Sequence, residues 1–141
     1  MITVREIKIS EAFTASEIEK RCLSTAWSQK QIEELPDTAV YLAAFYGETM
    51  CGIASMYCVF DEGQIMNVAV LPEFRRKGVA DALMAKLIKT AEERKLAILT
   101  LEVAEDNLAA TGLYEKQGFS VSGKRKGFYK NADALLMEKT L

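Results

Sequence analysis

Val68-Ala69-Val70-Leu71-Pro72-Glu73-Phe74-Arg75-Arg76-Lys77-Gly78-Val79-Ala80-Asp81 is the stretch on which the fold turns. An apolar run suited to a strand passes into a loop with three consecutive basic residues and a glycine. A new periodicity then begins. From about residue 76 to residue 94, Val79, Leu83, Leu87 and Ala91 recur every fourth position, with Ala80, Ala82 and Ile88 widening the stripe. The spacing predicts an amphipathic helix packed on a sheet. The first N–H groups of such a helix lack intrahelical partners and carry the positive end of its dipole, which suits an anion such as a phosphate. Gly78 permits close backbone approach, Ala80 keeps the next turn open, and Arg75, Arg76 and Lys77 add neutralising charge. Neither a Walker loop nor a G-x-G-x-x-G fingerprint is present. By itself the segment also fits a solvated helix start with ordinary surface charges.

Upstream, residues 3–9 read as extended and residues 11–24 as helical. Ser28 is a candidate cap for a short helix ending at Leu35, because the residue before a proline avoids the helical region. Residues 40–46, 51–60 and 64–71 read as an antiparallel meander, with turns at 47–50 and 61–63. Downstream, residues 97–103 form a strand with Leu99, Leu101 and Val103 on one face and Ile98, Thr100 and Glu102 on the other. Asn107 is placed to cap a helix running to Gln117, with Gly118 at the left-handed C-cap position. Residues 119–121, Tyr129 and 134–139 suggest a closing pair of strands. The order is that of an α/β protein with a mixed sheet (α+β character) rather than a βαβ repeat, and residues 1–141 read as a single domain.

Composition narrows the chemistry. The 141 residues are half apolar, and 18 Lys and Arg against 20 Asp and Glu give a net charge of −2, which argues against DNA as a partner. There is no histidine, so Ser-His-Asp and Cys-His catalysis and histidine-ligated zinc are excluded, and no metal is expected. Acid–base work falls to carboxylates, tyrosine, lysine, cysteine or water. Cys22, Cys51 and Cys58 form no C-x-x-C pair and read as small buried hydrophobes. Cys51 and Cys58, seven apart, would face opposite sides of a regular strand. The first residues lack the apolar core of a signal peptide, and the longest apolar run, 39–46, is far short of the roughly 20 residues that span a bilayer. The expected location is the cytoplasm, with no membrane partner.

A second segment bears on catalysis: Leu101-Glu102-Val103, then Asn107, then Leu113-Tyr114-Glu115-Lys116-Gln117-Gly118-Phe119. A carboxylate between apolar neighbours on a central strand is expected to be desolvated, which would raise its pKa and make it a useful base without histidine. Tyr114 lies one turn beyond Ala110 on the same helix face. The alternatives are a solvated Glu102 at a strand end and a core tyrosine whose hydroxyl reaches the surface.

Taken together, the two segments resemble the GNAT superfamily of N-acetyltransferases. Arg75-x-x-Gly78-x-Ala80 after a strand matches its Q/R-x-x-G-x-G/A acetyl-CoA motif, and Asn107 before Leu113-Tyr114-Glu115-x-x-Gly118-Phe119 matches its second signature. With Leu101-Glu102-Val103, and with Ala26-Trp27-Ser28 in place of Pro-Trp-Ser, the chain most resembles the ribosomal-protein alanine N-acetyltransferase subfamily, RimI. The resemblance implies a mostly antiparallel central sheet flanked by helices, with acetyl-CoA as cosubstrate and the N-terminal peptide of a ribosomal protein as partner. It assigns Val68, Ala69 and Val70 to the pantetheine arm and acetyl carbonyl. Arg75 opens the phosphate motif, Arg76, Lys77, Gly78, Val79, Ala80 and Asp81 surround the pyrophosphate, and Asn107 lies beside the thioester. Glu102 is implied as general base and Tyr114 as general acid, with Trp27 and Tyr129 on the acceptor side. The subfamily's Asn-Tyr-Tyr is Gly127-Phe128-Tyr129 here, so the carry-over reaches Tyr129 but not Phe128.

Other readings follow from the same residues: a small-amine acetyltransferase acting on a polyamine, amino acid or aminoglycoside, or a non-catalytic acyl-CoA-binding regulator. A polycation would need an acidic pocket, for which Glu11, Glu17, Glu19, Glu33, Glu34 and Asp37 are the candidates. Lys124-Arg125-Lys126 is either a ribosomal RNA contact or a solvated turn. The assembly state expected is a monomer or weak dimer.

Overall fold

A computed structural model of the chain describes residues 1–129 and 132–141. In order, the elements are β1 (Ile2–Glu6), α1 (Ala12–Cys22), α2 (Gln29–Glu33), β2 (Ala39–Tyr46), β3 (Thr49–Val59) and β4 (Glu62–Val70). There follow α3 (Val79–Glu93), β5 (Ile98–Ala104), α4 (Leu108–Lys116), β6 (Ser120–Tyr129) and β7 (Ala132–Thr140). The strands form one sheet in the order β1-β2-β3-β4-β5-β7-β6. Every neighbouring pair is antiparallel except β4 and β5.

The local reasons are those legible in the sequence. Val79, Leu83, Leu87 and Ala91 of α3 are buried against the sheet, each large side chain contributing about 1.5–3 kcal/mol through burial. The helix starts at Val79 because Arg76 and Gly78 have φ of +62° and +84°, which interrupts helical geometry. Ser28 and Gln31 form a capping box at α2, which ends at Glu33, two residues short of Leu35. The Asn107 side chain accepts a hydrogen bond from the Ala110 N–H at 3.1 Å, and Gly118 takes φ +97° after α4.

Helices α1 and α2 cover β2, β3 and β4 on one face, and α3 covers the other, so the protein has two cores. Leu99, Leu101 and Val103 are buried in the α3-side core, as the alternation of β5 predicts. The cysteines differ from the simple count. A register shift between Ala44 and Phe45 leaves Cys51 as an extra residue on β3, and both Cys51 and Cys58 pack with the α3-side core. All three cysteines are free.

Two irregularities shape the functional region. The parallel pairing of β4 with β5 is confined to Glu62↔Ile98, Gly63↔Leu99 and Gln64↔Thr100, after which the strands part. Ser55 pairs with Asn67 but Met56 with Ile65, so Met66 is a bulged residue that bends β4 where it leaves β5.

Candidate active site

The parting strands open a cleft of about 510 Å³. Its walls are the end of β4, the loop into α3, the first turn of α3 and the inner side of α4. Of the residues assigned by resemblance, Val68, Ala69, Val70, Arg75, Arg76, Gly78, Val79, Ala80, Asp81, Asn107 and Tyr114 all line it. Lys77 does not: its ammonium lies 5.9 Å from the centre of the Tyr46 ring, outside the cleft. Cys22 and Leu23 at the end of α1 line it too, and no sequence signal marked them.

The cleft fits an extended ligand ending in phosphates. Beyond Gln64, the edge of β4 that faces β5 has no strand partner among the described residues, so its backbone is free to pair with amides. At the far end, a Cβ on Gly78 would meet nothing within 4 Å, so the backbone there is open to close approach, and the dipole of α3 points positive charge at that spot. Gly52 seats the helix: a Cβ there would lie 2.9 Å from the Ala69 carbonyl oxygen and 3.1 Å from Val79 Cγ1. The Arg75 Nε–H donates to the Val70 carbonyl at 3.0 Å and closes the loop, so this guanidinium is partly committed to structure. Asp81 accepts from Lys116 Nζ and Gln117 Nε2, both at 3.1 Å, which ties α3 to α4 and offsets its charge.

Glu102 lies elsewhere. Alternation along β5 turns it to the face opposite Leu101 and Val103, where the β5-β7-β6 half of the sheet forms a separate groove of about 590 Å³. Gln64, Thr100, Arg125 and Tyr129 share that groove with it. The expected desolvation of Glu102 is therefore not found: it is exposed and forms an ion pair with Arg125 Nη2 at 3.0 Å. Apolar sequence neighbours on a strand point to the other face and desolvate nothing on this one. Lys124 pairs with Glu105 at 3.0 Å, so two residues of the basic triplet are spent on local ion pairs.

Tyrosines connect cleft and groove. Tyr114 packs edge-on to Phe119 with ring centres 6.0 Å apart, and burial, helped by nearby Tyr129, pushes its phenol up to about 12. Burial, then the Glu102 charge, raises Tyr129 in turn. Tyr129 thus stands between the groove carboxylate and the cleft phenol. Trp27 lines neither space: its ring packs between Tyr41 and Tyr57, at 6.2 and 5.9 Å, beside a third cavity of about 370 Å³. Among the described residues no cluster of His, Cys, Asp and Glu could hold a metal, and no helix is long and apolar enough to cross a membrane.

Comparison with known proteins agrees with this geometry. Residues 6–119 match the acetyltransferase (GNAT) family. The "[Ribosomal protein bS18]-alanine N-acetyltransferase" of Escherichia coli K12 is 31% identical over 134 residues, covering 94% of this chain and 90% of that protein. The crystal structure of the ribosomal-protein-S18-alanine N-acetyltransferase from Escherichia coli superposes with a TM-score of 0.90 at 30% identity, covering 99% of this chain and 94% of that one. Arabidopsis thaliana NAA60 in complex with acetyl-CoA shares the fold, with a TM-score of 0.89 at 18% identity over 100% of this chain and 99% of that one. The unzipped strand pair, the glycine-capped helix and these matches together place the chain in the GNAT family, as an acetyl-CoA-dependent N-acetyltransferase.

Proposed function

We propose that residues 1–141 act as one domain that transfers the acetyl group of acetyl-CoA to the N-terminal amine, an alanine, of a cytoplasmic ribosomal protein. Relatives named for that reaction align along nearly the whole chain, which supports the acceptor. The observation that carries the mechanism is the gap between β4 and β5: it has a cosubstrate-sized cleft on one side and a groove containing a carboxylate on the other.

In this reading the free edge of Val68-Ala69-Val70 holds the pantetheine arm, and its N–H groups meet the acetyl oxygen as negative charge develops there. The Gly78 cap and the first turn of α3 hold the pyrophosphate with Arg76, while Asn107 lies beside the thioester. The acceptor amine attacks directly from the groove. An α-amino group has a pKa of about 7.7–8.0, so roughly a tenth is neutral at pH 7, and a solvated carboxylate suffices to take up the remaining proton. A lysine side chain near 10.4 would add about 3–4 kcal/mol to that deficit. Glu102 is the proton acceptor, with Tyr129 beside it. Tyr114 remains protonated throughout the neutral range. Full transfer of its proton to a thiolate near 8.5 would be uphill by roughly 5 kcal/mol, so its contribution is a hydrogen bond to the departing sulfur.

A route through an acyl-enzyme on Cys51 or Cys58 is disfavoured. Cys51 is fully buried and its thiol is pushed up by that burial, and Cys58 lines neither the cleft nor the groove. The polyamine reading is not favoured: Glu11 pairs with Arg5, Glu17 with Lys20, Glu19 is fully buried, and none of the six candidate acids lines the cleft or the groove. The deciding experiment offers acetyl-CoA with peptides beginning Ala, Ser and Met, together with polyamines and free amino acids, and reads products by mass. Acetylation of the alanine peptide is expected. Products confined to small amines would remove this reading, and tight acetyl-CoA binding without turnover would make the chain a regulator.

A further inference from the structure

Neither cleft nor groove accounts for Glu19. It lies on α1, is completely buried, and has no Lys or Arg partner among the described residues. A carboxylate removed from water without a counter-charge costs folding free energy, and that cost is tolerated only where hydrogen bonds converge on it. Here three donors converge: the Trp27 backbone N–H at 2.9 Å, Asn67 Nδ2 at 3.3 Å, and the Tyr41 hydroxyl through a short bond. Burial pushes the Glu19 carboxyl up, while the Trp27 N–H and the Tyr41 hydroxyl pull it back.

The donors come from three parts of the chain. Tyr41, Ser55 and Asn67 form one cross-strand row on β2, β3 and β4, paired Tyr41↔Ser55↔Asn67. Asn67 is the last paired residue before the Met66 bulge and directly precedes Val68 of the cleft. Trp27 belongs to the α1–α2 connection, and its carbonyl accepts from the Ser16 hydroxyl at 2.9 Å. The peptide groups on both sides of Trp27 are therefore fixed by α1, the helix whose end supplies Cys22 and Leu23 to the cleft wall.

We infer that Glu19 is a positioning residue for acetyl transfer, its carboxylate tying the Trp27 connection to the bulged strand so that acceptor and thioester meet in register. The inference rests on the function proposed above. It removes Trp27 from direct substrate contact and makes its backbone the anchored group.

Glu19→Gln, Asn67→Ala and their combination test it in the full chain, with acetyl-CoA and an alanine-initiated peptide. In Glu19→Gln the NH₂ opposes both the Trp27 N–H and the Asn67 Nδ2 when it takes the Oε1 place, and faces the Tyr41 hydroxyl when it takes the Oε2 place. Asn67→Ala removes the strand link alone and is the milder change. Each single variant is expected to lower kcat ten- to fiftyfold, with acetyl-CoA affinity within twofold of the parent. The double variant should be no worse than its worse single, because both act through one carboxylate. Trp27 is the sole tryptophan, so acrylamide quenching reads the connection directly and should rise at least 1.5-fold in Glu19→Gln. The inference is overturned by kcat within twofold in both singles, by losses that multiply, by unchanged quenching, or by acetyl-CoA affinity falling as far as kcat. An unmodified chain inactive on every peptide would overturn the function itself, whereas an active parent with unaffected variants overturns only the positioning role.

Discussion

The cleft and the groove border the same gap but are built in opposite ways. The cleft is assembled from neighbours in sequence, residues 68–81, completed by Asn107 and Tyr114. Its tools are backbone groups, a helix terminus and a glycine conformation. The groove draws on β4, β5, β6 and β7, and its Glu102 and Arg125 side chains are exposed and paired with each other. A universal cosubstrate can be held by backbone geometry, which changes little between relatives. An acceptor must be discriminated by side chains, which are free to vary on a constant sheet.

The sharpest way to break this division is Glu102→Gln. A fall of 10²-fold or more in kcat/KM is expected, with acetyl-CoA affinity unchanged by calorimetry; wild-type rates across pH 6–9 would take the base role away from Glu102. Next is Gly78→Val. A β-branched residue at φ +84° introduces strain of about 1–3 kcal/mol and crowds the open backbone, so acetyl-CoA binding should weaken by roughly 10- to 100-fold. If the Kd holds, the pyrophosphate does not sit at this cap.

Tyr114→Phe should reduce kcat about tenfold while leaving both KM values alone, since a hydrogen bond to the leaving sulfur forms only as the bond breaks. The same substitution has a pH signature. With the folded pKa raised to about 12 from an ordinary value near 10, the favourable contribution of the protonated phenol is complete below pH 10. It is lost as pH rises from 10 through 12, by up to about 2–3 kcal/mol. Denaturation curves at pH 9, 10.5 and 12 should therefore show a larger loss of stability with pH for the parent than for the phenylalanine variant, in which the raised Tyr41 and Tyr129 still titrate.

The smallest effect sharpens the picture of the groove. Arg125 is half exposed, so its ion pair with Glu102 is worth only about 0.2–1 kcal/mol. Arg125→Ala should lower the peptide KM about two- to fivefold by removing a competing cation from Glu102, with acetyl-CoA affinity unaltered. A rise of the same size would show that the guanidinium holds the peptide instead.

The sequence by itself determined the elements and the loop-to-helix wall of the cleft, because both depend on local chemistry. The four-residue stripe of α3, the alternation of β5, the caps at Ser28 and Asn107, and the glycine at the start of α3 act within a few residues of themselves. The absence of histidine likewise settled which catalytic classes were open. Tertiary structure decided the remainder. Bulges at Cys51 and Met66 are products of strand register, which leaves no local pattern. The environment of Glu102 depends on the β6–β7 pair that carries Arg125 beside it, not on Leu101 and Val103, which point away. Glu19 reads in sequence as one surface acid among several; only packing α1 on the Tyr41–Ser55–Asn67 row makes it a buried carboxylate with three donors. Local rules place a side chain on a face, but what that face meets is set by chain segments dozens of residues away.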